Sequence, residues 1–393
     1  MKEKIRSLAA ELKPDLSIIR RHLHAHPELS FQETDTADFI EAQLNKVGIT
    51  DYFRITETGI VAFIKGKNPR KKCIALRADM DALPIQEENE ISYQSQNKGI
   101  MHACGHDVHT TCLLGAAKIL FQLKDDFEGT VKLIFQPGEE QSPGGASILI
   151  KNGVLENPKP EAIFALHVDP SLASGTVGFR PGQYMASTDE IHLTINGKGG
   201  HAALPHLTID PISISALIIT ALQQIVSRRS NPIMPTVLSF GKIEGGQTNN
   251  VIPDKVMLSG TLRTFDEIWR AEAIELIKKT VNNIADTYGA TAEIHIPSGY
   301  PSLFNNKELT ENAIKVAQSY LGKEHVKHLD LRMTAEDFSF YAQKIPGCFF
   351  RLGTNENNQK FIASVHTSRF DIHELALEIG SGLIAQLAVS ALS

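Results

Sequence analysis

The feature of this sequence that most constrains its fold is a change, along the chain, in the order of predicted strands and helices. Before Met185 and after Pro297, short apolar runs alternate with helical stretches, which favours a mainly parallel sheet with helices on both faces. Between these residues the predicted order is β-α-β-β-α-β, the split-βαβ arrangement of a ferredoxin-like sandwich. We therefore predict a mixed-sheet α/β sandwich (residues 1–183 and 298–393) with a ferredoxin-like domain (residues 184–297) inserted into it.

The predicted elements follow from this pattern. In the outer domain we predict helices over 3–24, 33–46 and 107–123, and strands over 59–64, 73–78, 130–135, 162–167 and 348–352. In the inserted domain we predict strands over 190–195, 236–243, 255–262 and 291–296, and helices over 211–226 and 266–288. The helix over 107–123 is predicted because its apolar residues recur close to a 3.6-residue period.

Length and composition narrow the class of protein. The 393 residues exceed the roughly 100–200 of one ordinary domain, so two domains are expected. A net charge of −6 without a Lys/Arg tract argues against nucleic acid or an anionic membrane as partner. Four scattered cysteines predict a reducing, cytoplasmic compartment. The N-terminus resembles an amphipathic helix rather than a signal peptide, and no apolar run reaches the ~18 residues of a membrane span.

The most informative stretch is MHACGHD, residues 101–107. It places the Cys104 thiol and the His106 imidazole two residues apart in a glycine-containing turn that opens a helix. Such a pair can present ligands to one cation or to two neighbouring cations. In isolation, a buried cysteine beside a surface histidine is the commoner explanation.

Polar side chains also follow the predicted strands. Asp79 and Asp81 follow one strand, Glu139 and Glu140 the next, and His167 ends a third, while His366 lies near the C-terminus. A histidine after an apolar run is more often a core residue than a ligand. Ligands of open parallel sheets, however, bind at the carboxyl ends of the strands, and this shared placement favours a site. One carboxylate of the Glu139–Glu140 pair could bind metal while its neighbour handles a proton.

Other chemistries fit less well. The sequence has no Gly-x-Ser-x-Gly elbow, no phosphate-binding Gly-x-x-x-x-Gly-Lys loop and no Gly-x-Gly-x-x-Gly turn after a strand. A nucleophilic pair of Cys104 and His106 is conceivable, but it would leave the glutamate pair and the two remote histidines unexplained.

Taken together, these motifs resemble the aminoacylase-like metallopeptidases, in particular the amidohydrolase branch with hippurate hydrolases, auxin-conjugate hydrolases and N-acetyldiaminopimelate deacetylases. The resemblance covers nearly the whole chain. It includes RRHLHAHPELSFQE (20–33), LRADMDALP (76–84), MHACGHD (101–107), FQPGEE (135–140), GKGGHAALPH (197–206), TNNVIP (248–253), GTLRT (260–264) and AEDFSFY (335–341).

The resemblance implies a role for individual residues. Two divalent ions (zinc, manganese, nickel or cobalt) would be bound by five ligands: Cys104, His106, Glu140, His167 and His366. Glu139 would be the general base, and Asp81 would orient a ligand. Other branches have His-x-Asp where this chain has Asp79-Met80-Asp81, so the role of Asp79 stays open. His109 receives no role.

The resemblance also implies that the inserted domain dimerises and acts as a lid. His201, Asn250 and Arg263 would come from it to meet the substrate, in some members across the dimer interface. From the residues alone, these three could equally be an exposed loop residue, a turn cap and a surface charge.

The expected reaction is hydrolysis of an N-acyl amino acid, R–CO–NH–CHR′–COOH, to a carboxylic acid and a free amino acid. A dipeptidase or carboxypeptidase with the same two-metal chemistry is the alternative enzyme. A ligand-binding relative with an inactive site would need a missing ligand or base, and none is missing.

Overall fold

The structure, a computed structural model, describes residues 1–356 and 363–393. It contains two compact units. The first comprises Met1–Gly182, Phe304–Asp330 and Asp337–Ser393, and the second comprises Gln183–Leu303 and Leu331–Glu336. The short segment Leu331–Glu336 belongs to the second unit because the backbone of Arg332 bonds to Tyr184 and Ala186 (N···O 2.9 and 3.0 Å).

The elements are numbered in chain order. The helices are α1 (Lys2–Ala25), α2 (Thr34–Val47), α3 (His106–Gln122), α4 (Gly145–Lys151), α5 (Pro211–Gln224), α6 (Glu267–Thr287), α7 (Lys307–Leu321), α8 (Ser339–Ala342) and α9 (Leu375–Leu392). The strands are β1 (Tyr52–Ile55), β2 (Gly59–Lys65), β3 (Cys73–Asp79), β4 (Thr130–Gln136), β5 (Ala162–Ala173), β6 (Val177–Phe179), β7 (Gly182–Met185), β8 (Asp189–Asn196), β9 (Gly200–His201), β10 (Thr236–Glu244), β11 (Val251–Ile252), β12 (Lys255–Thr264), β13 (Thr291–His295), β14 (Leu303–Asn305), β15 (Val326–His328) and β16 (Gly347–Asn355).

The first unit is built on an eight-stranded mixed sheet with the order β1-β2-β4-β3-β5-β16-β6-β15. Its central strands β4, β3, β5 and β16 are mutually parallel. Antiparallel pairs flank them, β2 with β4 on one side and β6 with β16 on the other. The predicted mixed α/β fold class is therefore confirmed. The parallel strands are nearly continuous apolar runs because both faces of the sheet are covered.

Helix α3 is the central helix of the first unit. Every residue from His106 to Leu120 is buried, because α3 packs between the sheet and helices α1 and α9. Its one buried lysine, Lys118, is paired with Asp15 of α1. The start of this rigid helix carries part of the candidate site.

Two helices are long and apolar enough to span a membrane by length and hydropathy. They are Leu375–Leu392, whose apolar window is 67% buried, and Pro211–Arg229, whose window is 33% buried. The core helix of a globular protein meets the same criteria, so length and hydropathy alone are weak evidence for a membrane span.

The second unit contains the β-α-β-β-α-β order in β8, α5, β10, β12, α6 and β13. These strands form a four-stranded antiparallel sheet with the order β10-β12-β8-β13. Ile191, Leu193 and Ile195 alternate along β8 and form one core with α5 and α6. The period of two in the strand and the apolar stripes of the helices thus meet on one face of the sheet.

Candidate metal centre

Three neighbouring parallel strands bring the acidic and imidazole groups of the first unit together. Asp79 is the last residue of β3, and Glu139 and Glu140 follow the end of β4. His167 was predicted to end its strand, but β5 continues to Ala173. Pairing of β5 with β3 stops at Ala165, opposite Arg77, and the same register places His167 level with Asp79, the last residue of β3.

The loop with Cys104 and His106 depends on the glycine between them. Gly105 adopts a left-handed conformation (φ 83°), and a Cβ there would lie 2.6 Å from Val168 Cγ2. A larger residue would therefore be both strained and in collision with the strand that carries His167. Helix α3 begins at His106, which fixes this side chain at the end of a buried helix.

The loop with His366 is tied to the same region through its backbone. His366 has a left-handed conformation (φ 62°), which is uncommon for a residue other than glycine. Its N–H donates to the Ala103 carbonyl (2.8 Å). His366 is thereby held beside Cys104, although the two residues are 262 positions apart in the chain.

All five candidate ligands converge. Cys104 Sγ lies 3.4 Å from His167 Nε2 and 3.3 Å from His366 Nε2. Glu140 Oε1 lies 3.1 Å from His366 Nε2 and 3.9 Å from His106 Nε2. Among the described residues, ligand atoms within 4.8 Å of one another form the groups Cys104–His106–His167, Cys104–Glu140–His366 and His106–Glu139–Glu140. Cys104 belongs to two of these groups, so the arrangement can hold two ions side by side.

The free ring nitrogens fit this arrangement. His106 Nδ1 contacts Asp81 Oδ1 (3.1 Å), and His106 Nε2 is buried without a hydrogen bond in the described part of the chain. His167 Nδ1 donates to the Val168 carbonyl (2.8 Å), which places a lone pair on Nε2. Thiolate, imidazole and carboxylate are donors that divalent transition metals accept. These residues therefore fit a metal centre.

The Asp81 carboxylate connects two of the candidate ligands through hydrogen bonds. One carboxylate oxygen contacts His106, and the other accepts from Ser30 Oγ (2.6 Å) and from the backbone N–H of Glu140 (2.9 Å). It thus joins two candidate ligands, as expected of a residue that orients them. Burial alone would raise the pKa of Asp81, but the bonds from His106, Ser30 and Glu140 lower it.

The candidate ligands themselves have displaced pKa values. Burial raises the pKa of the Cys104 thiol well above its usual range, and Glu140 and Glu139 add to this effect. Burial lowers the pKa of His167, with Arg351 adding to it. Burial would also lower the pKa of His106, but Asp79, Asp81 and Glu140 raise it to about 10. Without cations, Cys104 and His106 therefore hold protons that a metal must displace.

Glu139 is buried beside these groups, and its Oε1 accepts from the backbone N–H of Asp337 (3.3 Å). The turn before it needs glycine, because Gly138 has φ 61° and a Cβ would lie 2.3 Å from the Phe31 ring. The Gly138 N–H donates to Glu33 Oε1 (2.8 Å). Burial, with Asp81 nearby, raises the pKa of Glu33 to about 7.

Asp79 and His109 form a buried pair that the sequence analysis did not predict. Asp79 Oδ1 accepts from His109 Nδ1 (2.5 Å), and Asp79 Oδ2 accepts from Arg77 (2.6 Å). Burial would raise the pKa of Asp79, but Arg77, His106 and His109 lower it well below its usual range. The position of His109, one helical turn after His106, was the only sequence signal for this pair.

The three predicted substrate contacts belong to the second unit. His201 and Asn250 are exposed neighbours, since Ala202 N–H donates to the Asn250 carbonyl (3.0 Å) and β9 pairs with β11. Ala203 N–H donates to His201 Nδ1 (3.0 Å), which places the proton of the neutral ring on Nε2. Arg263 of β12 is half-buried and donates to the Met333 carbonyl (3.2 Å), and burial lowers its pKa.

Comparison with known proteins identifies close relatives. A family model described as peptidase family M20/M25/M40 matches residues 75–390. The N-acyl-L-amino acid amidohydrolase of Geobacillus stearothermophilus is 44% identical over 307 residues, covering 78% of this chain and 82% of that protein. Thermostable carboxypeptidase 1 of Saccharolobus solfataricus is 38% identical over 98% of both chains.

Among solved structures, a dinuclear metal-binding peptidase of the M20 family from Bacillus subtilis superposes with a TM-score of 0.83. It is 37% identical and covers 98% of this chain and 99% of its own. These matches confirm the resemblance to the aminoacylase-like metallopeptidases.

The convergence of the five groups predicts a thiolate-bound metal centre with two ions. We expect Co²⁺ added to metal-free protein to give a sulfur-to-cobalt charge-transfer band, saturating at two ions per chain. Cys104→Ser should lose this band. Cys112→Ser, which changes a free, buried cysteine farther along α3, should retain it.

Because protons compete for Cys104 and His106, the apparent metal affinity should rise from about pH 6 to about pH 8.

Absorption spectra and chelator-competition titrations test these expectations. A charge-transfer band that survives in Cys104→Ser would contradict the role of Cys104, and saturation at one ion would contradict the dinuclear arrangement.

Proposed function

Because the chain belongs to peptidase family M20/M25/M40, we propose that it is a metal-dependent amidohydrolase. Its substrate would be an N-acyl amino acid, which it cleaves to a carboxylic acid and a free amino acid. The observation that carries this proposal is the convergence of Cys104, His106, Glu140, His167 and His366 beside the buried carboxylate of Glu139.

Five residues would hold two divalent ions. Cys104, His106 and His167 form one group and Cys104, Glu140 and His366 form another, with Cys104 common to both. When bound, the ions supply Lewis-acid activation of water and of the scissile carbonyl. We propose zinc, manganese, nickel or cobalt, since thiolate, imidazole and carboxylate suit each of them.

The remaining roles fall to residues of the chain. Glu139 would accept a proton from the attacking water and return it to the leaving nitrogen, as general base and then general acid. The Asp337 N–H would hold the Glu139 carboxylate in place. Asp81 would orient His106, and His201 would stabilise the tetrahedral oxyanion with the proton on its Nε2.

Two substrate classes fit this chemistry. An N-acyl amino acid is favoured by the 44%-identical amidohydrolase, and a peptide by the 38%-identical carboxypeptidase. We propose the former as the main substrate. Comparing kcat/KM for N-acetyl and N-benzoyl amino acids with kcat/KM for dipeptides separates the two, and faster turnover of dipeptides would overturn our choice.

We also propose a homodimer formed through the second unit, which would act as a lid. Helix α5 has exposed Ile212 on the same face as Ile219, which lines a groove with β10, and β10 is an edge strand with exposed Ile243. A groove of about 350 Å³ lies between α5 and β10. An apolar helix face beside an unpaired edge strand suits a second copy of the chain.

A cytoplasmic location, with neither nucleic acid nor membrane as partner, is likewise our proposal. Its support is the net charge of −6 and the four cysteines, all free and buried. Cell fractionation tests it, and recovery of the native protein with membranes would overturn it.

The roles of the two adjacent glutamates give the first test. Glu139→Gln should keep both metals, because glutamine retains an oxygen for the Asp337 N–H, and should lower kcat about 10²–10⁴-fold. Glu140→Gln should instead weaken metal binding, with activity recovering in excess metal. Metal analysis and steady-state kinetics distinguish the two variants, and exchanged phenotypes would show that the roles are reversed.

Recognition of the substrate carboxylate gives the second test. We propose that Arg263 and Asn250 bind the free α-carboxylate, since arginine offers a two-pronged donor for it. Amidation of that carboxylate should lower kcat/KM more than tenfold, as expected for loss of a charged hydrogen bond of ~1.5–3 kcal/mol. Arg263→Ala should reduce this discrimination, and Arg263→Lys should recover only part of it.

The exposed Arg228 of the same unit offers a control, because Arg228→Ala should leave the discrimination unchanged. Equal turnover of free and amidated substrates by the unaltered enzyme would refute carboxylate recognition.

The dimer can be tested by charge substitution on α5. We expect Ile212→Glu to give monomers by light scattering, because it places a charge in an apolar interface. Ile268→Glu, which changes an 83%-exposed residue of α6, should leave the dimer intact. A monomeric unaltered protein at micromolar concentration would refute the proposal.

A further inference from the structure

His109 is a fully enclosed histidine with both ring nitrogens engaged. Its Nε2 accepts from the backbone N–H of Val168 (2.9 Å), so the ring proton of the neutral form is on Nδ1. That proton is donated to Asp79 Oδ1 (2.5 Å). His109 therefore connects the end of β3 to the residue that follows His167, and its tautomer is fixed by these two partners.

The chain of hydrogen bonds continues from Asp79 to the candidate base. Arg77 Nη1 donates to Asp79 Oδ2 (2.6 Å), and Arg77 Nη2 donates to Asp337 Oδ1 (2.7 Å). The backbone N–H of Asp337 donates to Glu139 Oε1 (3.3 Å). The side chains of Arg77, Asp79 and Asp337 are no more than 1% exposed, so water does not compete for these bonds.

Gln136 fixes the middle of this series of hydrogen bonds. Its Oε1 accepts from Arg77 Nε (2.9 Å), and its Nε2 donates to both carboxylate oxygens of Asp337 (2.8 and 3.0 Å). Asp337 Oδ2 also accepts from the Ala146 N–H (2.9 Å). Asp337 thus has little freedom to move without breaking several buried bonds, each costly to leave unmade.

We propose that His109 is a positioning residue that sets two parts of the catalytic site through one buried hydrogen-bonded chain. Through Val168 it holds the backbone next to His167. Through Asp79, Arg77 and Asp337 it holds the amide that binds Glu139. This inference rests on the proposed roles of His167 as a metal ligand and Glu139 as the general base.

The geometry argues against metal binding by His109 itself. Asp79, His106 and His109 have ligand atoms within 4.8 Å of one another. The Nε2 lone pair of His109, however, is occupied by the Val168 N–H, and its Nδ1 by Asp79. Both oxygens of Asp79 are likewise engaged, by His109 and Arg77. Asp79 and His109 therefore act on the site through the ligands rather than as ligands.

His102 provides a matched control for substitutions of His109. It is also a histidine of 1% exposure near the start of α3, but neither of its ring nitrogens has a hydrogen-bond partner in the described part of the chain. His109→Leu and His102→Leu both replace a buried imidazole by a side chain of similar size, and only the first removes the two hydrogen bonds.

We expect His109→Leu to weaken metal binding to stripped protein about 10- to 100-fold and to lower kcat, with little change in KM, as loss of a partner behind a ligand does. His102→Leu should leave both quantities within about threefold of the unaltered enzyme. Chelator competition gives the metal affinity without reference to activity, and circular dichroism confirms that both variants fold.

Two conservative variants separate the two hydrogen bonds of His109, one with Val168 and one with Asp79. In His109→Asn, the side-chain amide can still donate to Asp79 but cannot reach Val168, so metal affinity should fall while most of kcat at saturating metal remains. In His109→Gln, the amide oxygen can still accept from Val168 but the bond to Asp79 is lost. Metal affinity should then be retained, while kcat falls about tenfold.

Two results would overturn the inference. Equal effects of His109→Leu and His102→Leu on metal affinity and kcat would show that His109 only fills space. Identical behaviour of His109→Asn and His109→Gln would show that the hydrogen bonds with Val168 and Asp79 do not have separate effects. If the unaltered enzyme, assayed beside the variants, lacks metal-dependent hydrolysis, the proposed function itself fails.

Discussion

The guanidinium of Arg77 is the buried charge on which the arrangement of the first unit depends. An arginine inside a parallel sheet needs an anion and several acceptors, because an uncompensated buried charge costs several kcal/mol. Arg77 finds them in Asp79 of its own strand, Gln136 of β4 and Asp337 near the start of α8. Satisfying one cation therefore fixes three segments against one another. The candidate base Glu139 follows one of them, β4, and accepts from the Asp337 N–H of another.

A second buried arginine has the same effect behind the Cys104–His106 loop. Arg20 of α1 donates to Asp107 (2.9 Å) and pairs with Asp371 (2.8 Å), while His24 contacts Asp107 and Glu87 (2.8 and 3.1 Å). Asp107 follows His106 directly, and Asp371 lies five residues after His366. One cation thus links the first helix to two of the four segments that carry candidate ligands. The rigid, planar donor group of arginine suits such multiple contacts better than a lysine would.

The fold could be predicted where the sequence has a period or a short continuous apolar run. The runs that become β3 and β4 are continuous and apolar, and α3 and the elements of the second unit repeat at helical or strand spacing. Helix α9 was not predicted, because it is apolar on nearly every side and so has no period to detect. The C-terminal end of β5 could not be predicted either, because β5 continues to Ala173 by pairing with β16 after its pairing with β3 stops at Ala165.

The candidate site divides in a similar way. Cys104, His106, Glu139, Glu140 and His167 were suggested by their positions at a helix start or near strand ends, whereas His366 needed the family resemblance. No local pattern could reveal the roles of Arg77, His109 and Asp337. Apart from the Arg77–Asp79 pair, their partners lie 30 to 260 residues away in sequence. A buried arginine in a strand also looks from sequence alone like a polar residue at a solvent-exposed position.

The candidate histidine ligands are held in two different ways, by hydrogen bonds to the ring or by the backbone. His106 and His167 are buried, and each has its Nδ1 engaged by a protein oxygen, so the orientation of the ring is set before any ion arrives. His366 is exposed, and its position is set instead by a left-handed backbone bonded to Ala103. Its ring contacts other candidate ligands, Cys104 and Glu140. A ligand held by its backbone can rotate its ring without disturbing the fold. The ring orientation of His106 and His167 is therefore set by groups outside the candidate ligands, whereas the ring contacts described for His366 are with candidate ligands.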